Sequence, residues 1–298
     1  MEAQLAQLFT YLIPGISKGL VYALIALGFV LIYKCTGIFN LAMGEMMILG
    51  GYLLYFFAVQ IGLPLWAGVI LTIAAAAVIG LATNRLFIRP LIGQSTNAMV
   101  LVTLALASIV TASVILIWGS QTLYVPKLFP DGGIPIMGST LQWNYLGFGG
   151  VSLVLLVGLL LFFRYSRFGL SMMAISEDQQ SAQALGVSVK RIIEVAWVLG
   201  ISTASIGGIM LTSLTSVQYG QATLGLIGIA VALVGGLQSM GGVIAGGLLV
   251  GLVQGLSAGY LEQFFPGSLQ EVSAYVVMML ILLFRPQGFF GWERIERV

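Results

Sequence analysis

Histidine is missing from all 298 residues, cysteine occurs once, and only 7% of the side chains carry a charge. Without histidine, the commonest general base and the commonest metal ligand are both absent. The lone Cys35 excludes an intrachain disulfide and any cysteine-based metal site. No G-x-x-x-x-G-K-[ST] run occurs, so the chain cannot bind and hydrolyse ATP through a phosphate loop. Nor does any nucleophile stand with a plausible base, and an enzyme is not expected. An average soluble domain carries about 25% charged residues. The charge present here cannot build a water-facing surface. The net charge of +2 is scattered among loops and gives no basis for nucleic-acid binding.

What remains is apolar mass: 59% hydrophobic residues and a mean hydropathy of +1.06. A spanning helix needs roughly 20 mainly apolar residues, whereas a membrane strand shows about 10 in alternation. The runs here are long and do not alternate. They fall at about 11–33, 37–58, 64–84, 97–118, 144–163, 192–216, 223–238, 242–259 and 271–285. The expected fold is therefore all-α, a single polytopic domain over 1–298 with about nine crossings. The Gly-rich pair from 223 to 259 is open to a broken or re-entrant helix. The N-terminus lacks a basic segment and a small-residue cleavage site, so it is expected to begin the mature protein.

Lys and Arg are retained on the cytoplasmic side. With the N-terminus outside and the C-terminus inside, the inner face holds Lys34, Arg85, Arg89, Arg164, Arg167, Lys190, Arg191, Arg285, Arg294 and Arg297. The outer face then holds only Lys18 and Lys127. Tyr11, Trp66, Trp118 and Trp143 fall at outer ends, and Tyr33, Phe162, Phe163 and Tyr165 at inner ones, as amphipathic rings do. The outer segment 119–143 is rich in Pro and Gly and reads as an ordered loop or short hairpin.

Three features stand out. The inner loop 164–191 is the most polar stretch, far longer than a connector of about 4–8 residues requires. Ser176 followed by Gln179 reads as a capping box, with Glu177 and Asp178 in the first turn and Gly186 at the left-handed end. Ser188 can cap the next helix, which carries Lys190 and Arg191. The loop is either a solvated connector or a short docking helix that transmits motion from a soluble partner. Second, Glu45 sits in GIFNLAMGEMMILGGY, and a charge inside a span costs at least about 2.5–3.5 kcal/mol. With Asn40 and Gly44 it either lines a pathway or makes a structural interhelical bond. No second buried acid accompanies it, which argues against proton coupling. Third, Gly247, Gly251, Gly255 and Gly259 recur every four residues, with Gly242 and Gly246 at the same interval, and suit close helix packing. Gly207–Gly208 and Gly235–Gly236 read as bends in spans that line a route.

Three segments resemble the permeases of branched-chain amino acid ABC importers. They are GLVYALIALGFVLIYKCTGIFNLAMGEMMILGGYL at 19–53, AISEDQQSAQALGVSVKRIIEVAWVLGISTASIGGIM at 174–210 and FRPQGFFG at 284–291. The resemblance implies a type II ABC importer-like permease fold in the bacterial inner membrane and no cofactor of its own. ATP would bind ABC ATPase subunits. A second permease subunit, a related chain or a copy, would complete the pathway, and a periplasmic or extracellular solute-binding protein would deliver substrate. By the same resemblance Glu177, Asp178, Ala182, Ala184 and Gly186 form the ATPase-coupling helix, and Asn40, Met43, Gly44 and Glu45 are candidates for the pathway. Met43 stands where many relatives carry His or Gln, which implies a more apolar site. Family members also carry urea, short amides and aromatic acids. An ion-coupled secondary transporter is the alternative of another class.

Overall fold

The computed structural model describes residues 2–136, 139–264 and 269–291. Arg294 and Arg297, counted on the inner face above, lie outside them. In chain order the helices are α1 (Glu2–Thr36), α2 (Met43–Tyr55), α3 (Leu65–Thr83) and α4 (Thr96–Trp118). A hairpin follows, of β1 (Gly133–Ile136) and β2 (Ser139–Gln142), then α5 (Trp143–Tyr165), α6 (Arg167–Glu177) and α7 (Gln179–Ala184). The chain continues with α8 (Val189–Leu214), α9 (Leu224–Gly235), α10 (Met240–Leu256) and α11 (Leu269–Phe284). The strands pair antiparallel, Gly133 opposite Gln142, so part of the Pro/Gly-rich segment is a hairpin.

Among the described residues, seven helical segments are long and apolar enough to cross a membrane. They are Leu8–Thr36, Met43–Gln60, Leu65–Leu91, Thr96–Trp118, Trp143–Tyr165, Val189–Leu214 and Met240–Leu261. The other two expected spans are helical but shorter, Tyr219–Gly235 and Leu269–Phe284. The protein is an all-α polytopic membrane protein.

The chain divides into two compact units. One comprises 1–26, 129–156 and 227–298. Here the first half of α1 lies on α10 with glycine against glycine. A Cβ on Gly255 would stand 2.5 Å from the Tyr11 carbonyl oxygen and 3.0 Å from the Gly15 Cα. One on Gly15 would stand 2.6 Å from the Gly251 carbonyl oxygen, and Gly247 meets Gly19 in the same way. Lipid is as apolar as leucine, so helices associate by close van der Waals contact, which such backbones allow. Gly259 lies in a π-turn (Ser257–Leu261) against the Tyr11 ring, which also meets Tyr260 edge-on at 5.9 Å. Between α9 and α10 the chain turns at Gly236, whose φ of +99° belongs to the left-handed region. The Ser239 hydroxyl then accepts the Gly242 N–H to cap α10. After α11 the chain returns to α9, and the N–H groups of Phe289 and Phe290 donate to the carbonyls of Val234 and Gly235. This is where the FRPQGFFG motif goes: it satisfies carbonyls that a helix end leaves orphaned.

The other unit comprises 27–128 and 157–226 and is organised about α8. Gly28 and Gly200 bring α1 and α8 together, Gly208 meets the Met47 carbonyl on α2, and Gly80 on α3 meets Trp197. The Ser205 hydroxyl donates to the Met46 carbonyl at 3.1 Å, a buried bond. α8 runs unbroken through Gly207–Gly208, so the pair is not a bend, and Gly208 makes room for α2. Gly235–Gly236, by contrast, does end a helix.

Candidate functional site

The apolar stretch read as 37–58 becomes helical only at Met43. α1 stops because Gly37 takes a φ of +67° and the Thr36 hydroxyl donates back to Ile32 and accepts the Ile38 N–H. Asn40 then shapes the re-entry into helix. Its side-chain oxygen accepts the Ala42 N–H at 3.1 Å, the Asx turn that competes with helix before a helix starts. Its amide reaches the Met43 sulfur at 3.8 Å. Thr103, buried on α4, holds the break from outside. Its hydroxyl accepts the Leu41 N–H at 3.2 Å and lies 3.3 Å from the Phe39 carbonyl oxygen. No periodic signal marks this threonine inside an apolar run, so its role shows only in the fold.

Glu45 is thus not well inside a helix but in the first turn of α2, where the positive end of the helix dipole favours an anion. Its side chain is half-buried. Asn40, Met43 and Gly44 are buried outright. Met43 points under α1, within 2.9 Å of where a Gly28 Cβ would be, and Gly44 meets the backbone of Ala222 and Gly225. Of the four candidates, only Glu45 keeps access to its surroundings.

The polar loop is a helix–turn–helix–turn. α6 opens on Ser166, whose hydroxyl accepts the Gly169 N–H at 3.0 Å, and runs through Glu177. The cap of α7 is Asp178 rather than Ser176, because α6 continues two residues farther than the capping pattern implies. Ser176 turns its hydroxyl back to the Met173 carbonyl. Asp178 accepts the Gln180 N–H at 2.9 Å and the Ser181 hydroxyl at 2.5 Å. Those donors, the Ser181 hydroxyl first and then the backbone N–H groups of Gln180 and Ser181, hold its carboxyl below the ordinary range. Gly186 ends α7 in the left-handed conformation at φ +86°. Its N–H donates to Gln183 and that of Val187 to Ala182, the double bond of a Schellman motif. Ser188 precedes α8 with no side-chain cap.

Ala182 is 2% exposed and anchors α7, while Glu177, Asp178, Ala184 and Gly186 lie on the surface. Leu185 beside them is 84% exposed, a large apolar side chain at the tip of a polar loop that composition alone did not single out. At the base of α8, Glu194 pairs with Arg85 through two hydrogen bonds of 2.9 and 3.3 Å. The pair is exposed enough to orient the segment more than to stabilise it. Gly247, Gly251, Gly255 and Gly259 belong to the other unit and face α1 there, as described. Among the described residues no group of three or more His, Cys, Asp or Glu could hold a metal ion.

Residues 11–284 match the family described as branched-chain amino acid transport system / permease component. The high-affinity branched-chain amino acid transport system permease protein LivH of Salmonella typhimurium is 27% identical over the whole of both chains. BraD of Pseudomonas aeruginosa, named as a permease protein of the same system, is 28% identical over 96% of this chain and 97% of its own. A chain from the solved complex of Streptococcus pneumoniae PsaBC with Fab aligns over 95% of this chain and 91% of that one. Its TM-score of 0.50 at 15% identity shows a shared fold. An all-α membrane bundle with a structured polar loop is thus matched along its length, and the chain belongs to the branched-chain amino acid transport permease family.

Proposed function

We propose that this chain is the membrane-spanning subunit of an ATP-driven importer that moves branched-chain or similar hydrophobic amino acids inward. The observation that carries the reading is α7: a short helix capped at both ends, seated by Ala182, with Glu177, Asp178 and Leu185 on its open side. Two carboxylates at the start of α7 and an exposed leucine at its end suit docking to a soluble ATPase. With no phosphate loop of its own, the chain needs such a partner if ATP is the energy source. ATP-driven closure of two ATPases would pull on α7, and the pathway would alternate between two packings of the same helices. A second permease and a solute-binding protein would complete the assembly. Nine crossings with the N-terminus outside put ten of the twelve basic residues in the cytoplasm.

The test is co-purification. Charge reversal at Glu177 and Asp178 is expected to release the ATPase while the permease still extracts as a folded protein. Solute uptake by the chain alone in ATP-free vesicles would overturn the proposal and favour ion-coupled transport.

A further inference from the structure

A cavity of about 300 Å³ opens among residues 9–18 of α1, the hairpin, the starts of α5 and α11 and the end of α10, a volume at the small end of ligand sites. Among the described lining residues Lys18 is the one that carries a charge, with Gln142, Tyr145 and Gln270 as polar neighbours and Phe9 and Ile13 among the apolar surfaces. No described lining residue carries a carboxylate. Glu262 acts on Lys18 through space, yet among the described residues no carboxylate comes within ion-pairing distance of it. Lys18 is half-buried, and partly burying an ammonium without a paired carboxylate is costly.

The depth of the site follows from α1. Gly19 to Tyr33 carries no charge, and Lys18 and Lys34 bracket it about 24 Å apart at 1.5 Å per residue. That separation approaches the thickness of the hydrocarbon core. Lysine heads at both ends of such a run reach for the headgroup layer. The cavity therefore lies at headgroup level, with Tyr11 and Tyr145 in its wall as interfacial aromatics.

We infer that this cavity binds an anionic phospholipid, its phosphodiester on the Lys18 ammonium and the amides of Gln142 and Gln270, its proximal acyl chain along Phe9 and Ile13. The inference is independent of the transported solute.

Native mass spectrometry of the full chain, titrated with phosphatidylglycerol and with zwitterionic phosphatidylcholine, tests it. The unaltered protein is expected to retain one phosphatidylglycerol in preference to phosphatidylcholine. Lys18→Gln should weaken that retention about fivefold, the value of one lysine at an anionic surface, and Lys18→Arg should keep it. Should Lys18→Gln fail to fold, Gln270→Leu gives the same readout and should also weaken retention. Equal retention by the charge-neutral variant overturns the inference. So does displacement of the lipid by millimolar leucine, which would give the cavity to a free carboxylate.

Discussion

Gly251→Ala is the sharpest test of how the α1–α10 contact works. A methyl group there would fall onto the Gly15 carbonyl oxygen and stand 2.5 Å from the Gly19 Cα and 2.8 Å from its nitrogen. These are backbone atoms of a helix and cannot swing aside. Carbon atoms pack at about 3.5–4.0 Å, so the two helices must part by about 1 Å. Overpacking of that kind costs about 1–3 kcal/mol. Alanine also gains about 1 kcal/mol over glycine in any helix interior, which would mask part of the loss. Gly150→Ala removes that ambiguity. Gly150 lies on α5 in the same unit, is exposed, and has nothing within 4 Å of its added methyl. Propensity enters both variants alike, so the difference between them reports the steric term, about 1–3 kcal/mol against Gly251→Ala. Denaturant unfolding in micelles, followed by the fluorescence of the five tryptophans, measures it. Coincident midpoints for the two variants would show that the close approach contributes nothing.

Two further outcomes are expected. Glu45→Gln keeps the shape of the one half-exposed residue among Asn40, Met43, Gly44 and Glu45 and removes its charge; assembly should survive while transport changes several-fold. Transport equal to that of the unaltered protein would leave the residue a structural role only. For Asp178, the lowered carboxyl pKa means that the folded loop favours the ionised form, so the cap is intact above the ordinary carboxylate pKa of about 3.9. It is lost as pH falls through the lowered value. Hydrogen-exchange protection of α7 should therefore hold from neutral pH down to about 4 and fail only below, and Asp178→Asn, also a good cap, should abolish that dependence. Loss of protection already at pH 6 would refute the capping geometry.

Much of this architecture was legible because hydropathy and charge are local properties. The apolar runs became helices, and the four-residue glycine rhythm of α10 was visible by inspection. Its partners were not. Gly15 and Gly19 keep the same interval, but which two helices meet is a long-range fact that no single segment carries. The break at 37–42 escaped for a different reason. Ile38, Phe39, Leu41 and Ala42 continue the apolar run, and only a hydrogen-bond pattern, Asn40 to Ala42 with Thr103 from α4, tells loop from helix. That break moved Glu45 from mid-helix to a helix start. In the polar loop, left-handed Gly186 was readable from residue type. The cap slipped from Ser176 to Asp178 because three-dimensional context decided how far α6 would run.

The return of Phe289 and Phe290 to the end of α9 has a consequence for the order of biosynthesis. A ribosome delivers α9 first, then α10 and α11, and only afterwards the two amides that close the carbonyls of Val234 and Gly235. Until then the turn at Gly236 is held by local bonds alone: the Gly236 N–H to Ala232, the Ser239 N–H to Gly236, and the Ser239 hydroxyl under Gly242. A nascent chain halted within α11 would leave this corner unlatched, with both carbonyls still without their partners. Completion of the α9–α10 corner is thus a late event, timed by translation rather than by insertion of the helices it joins.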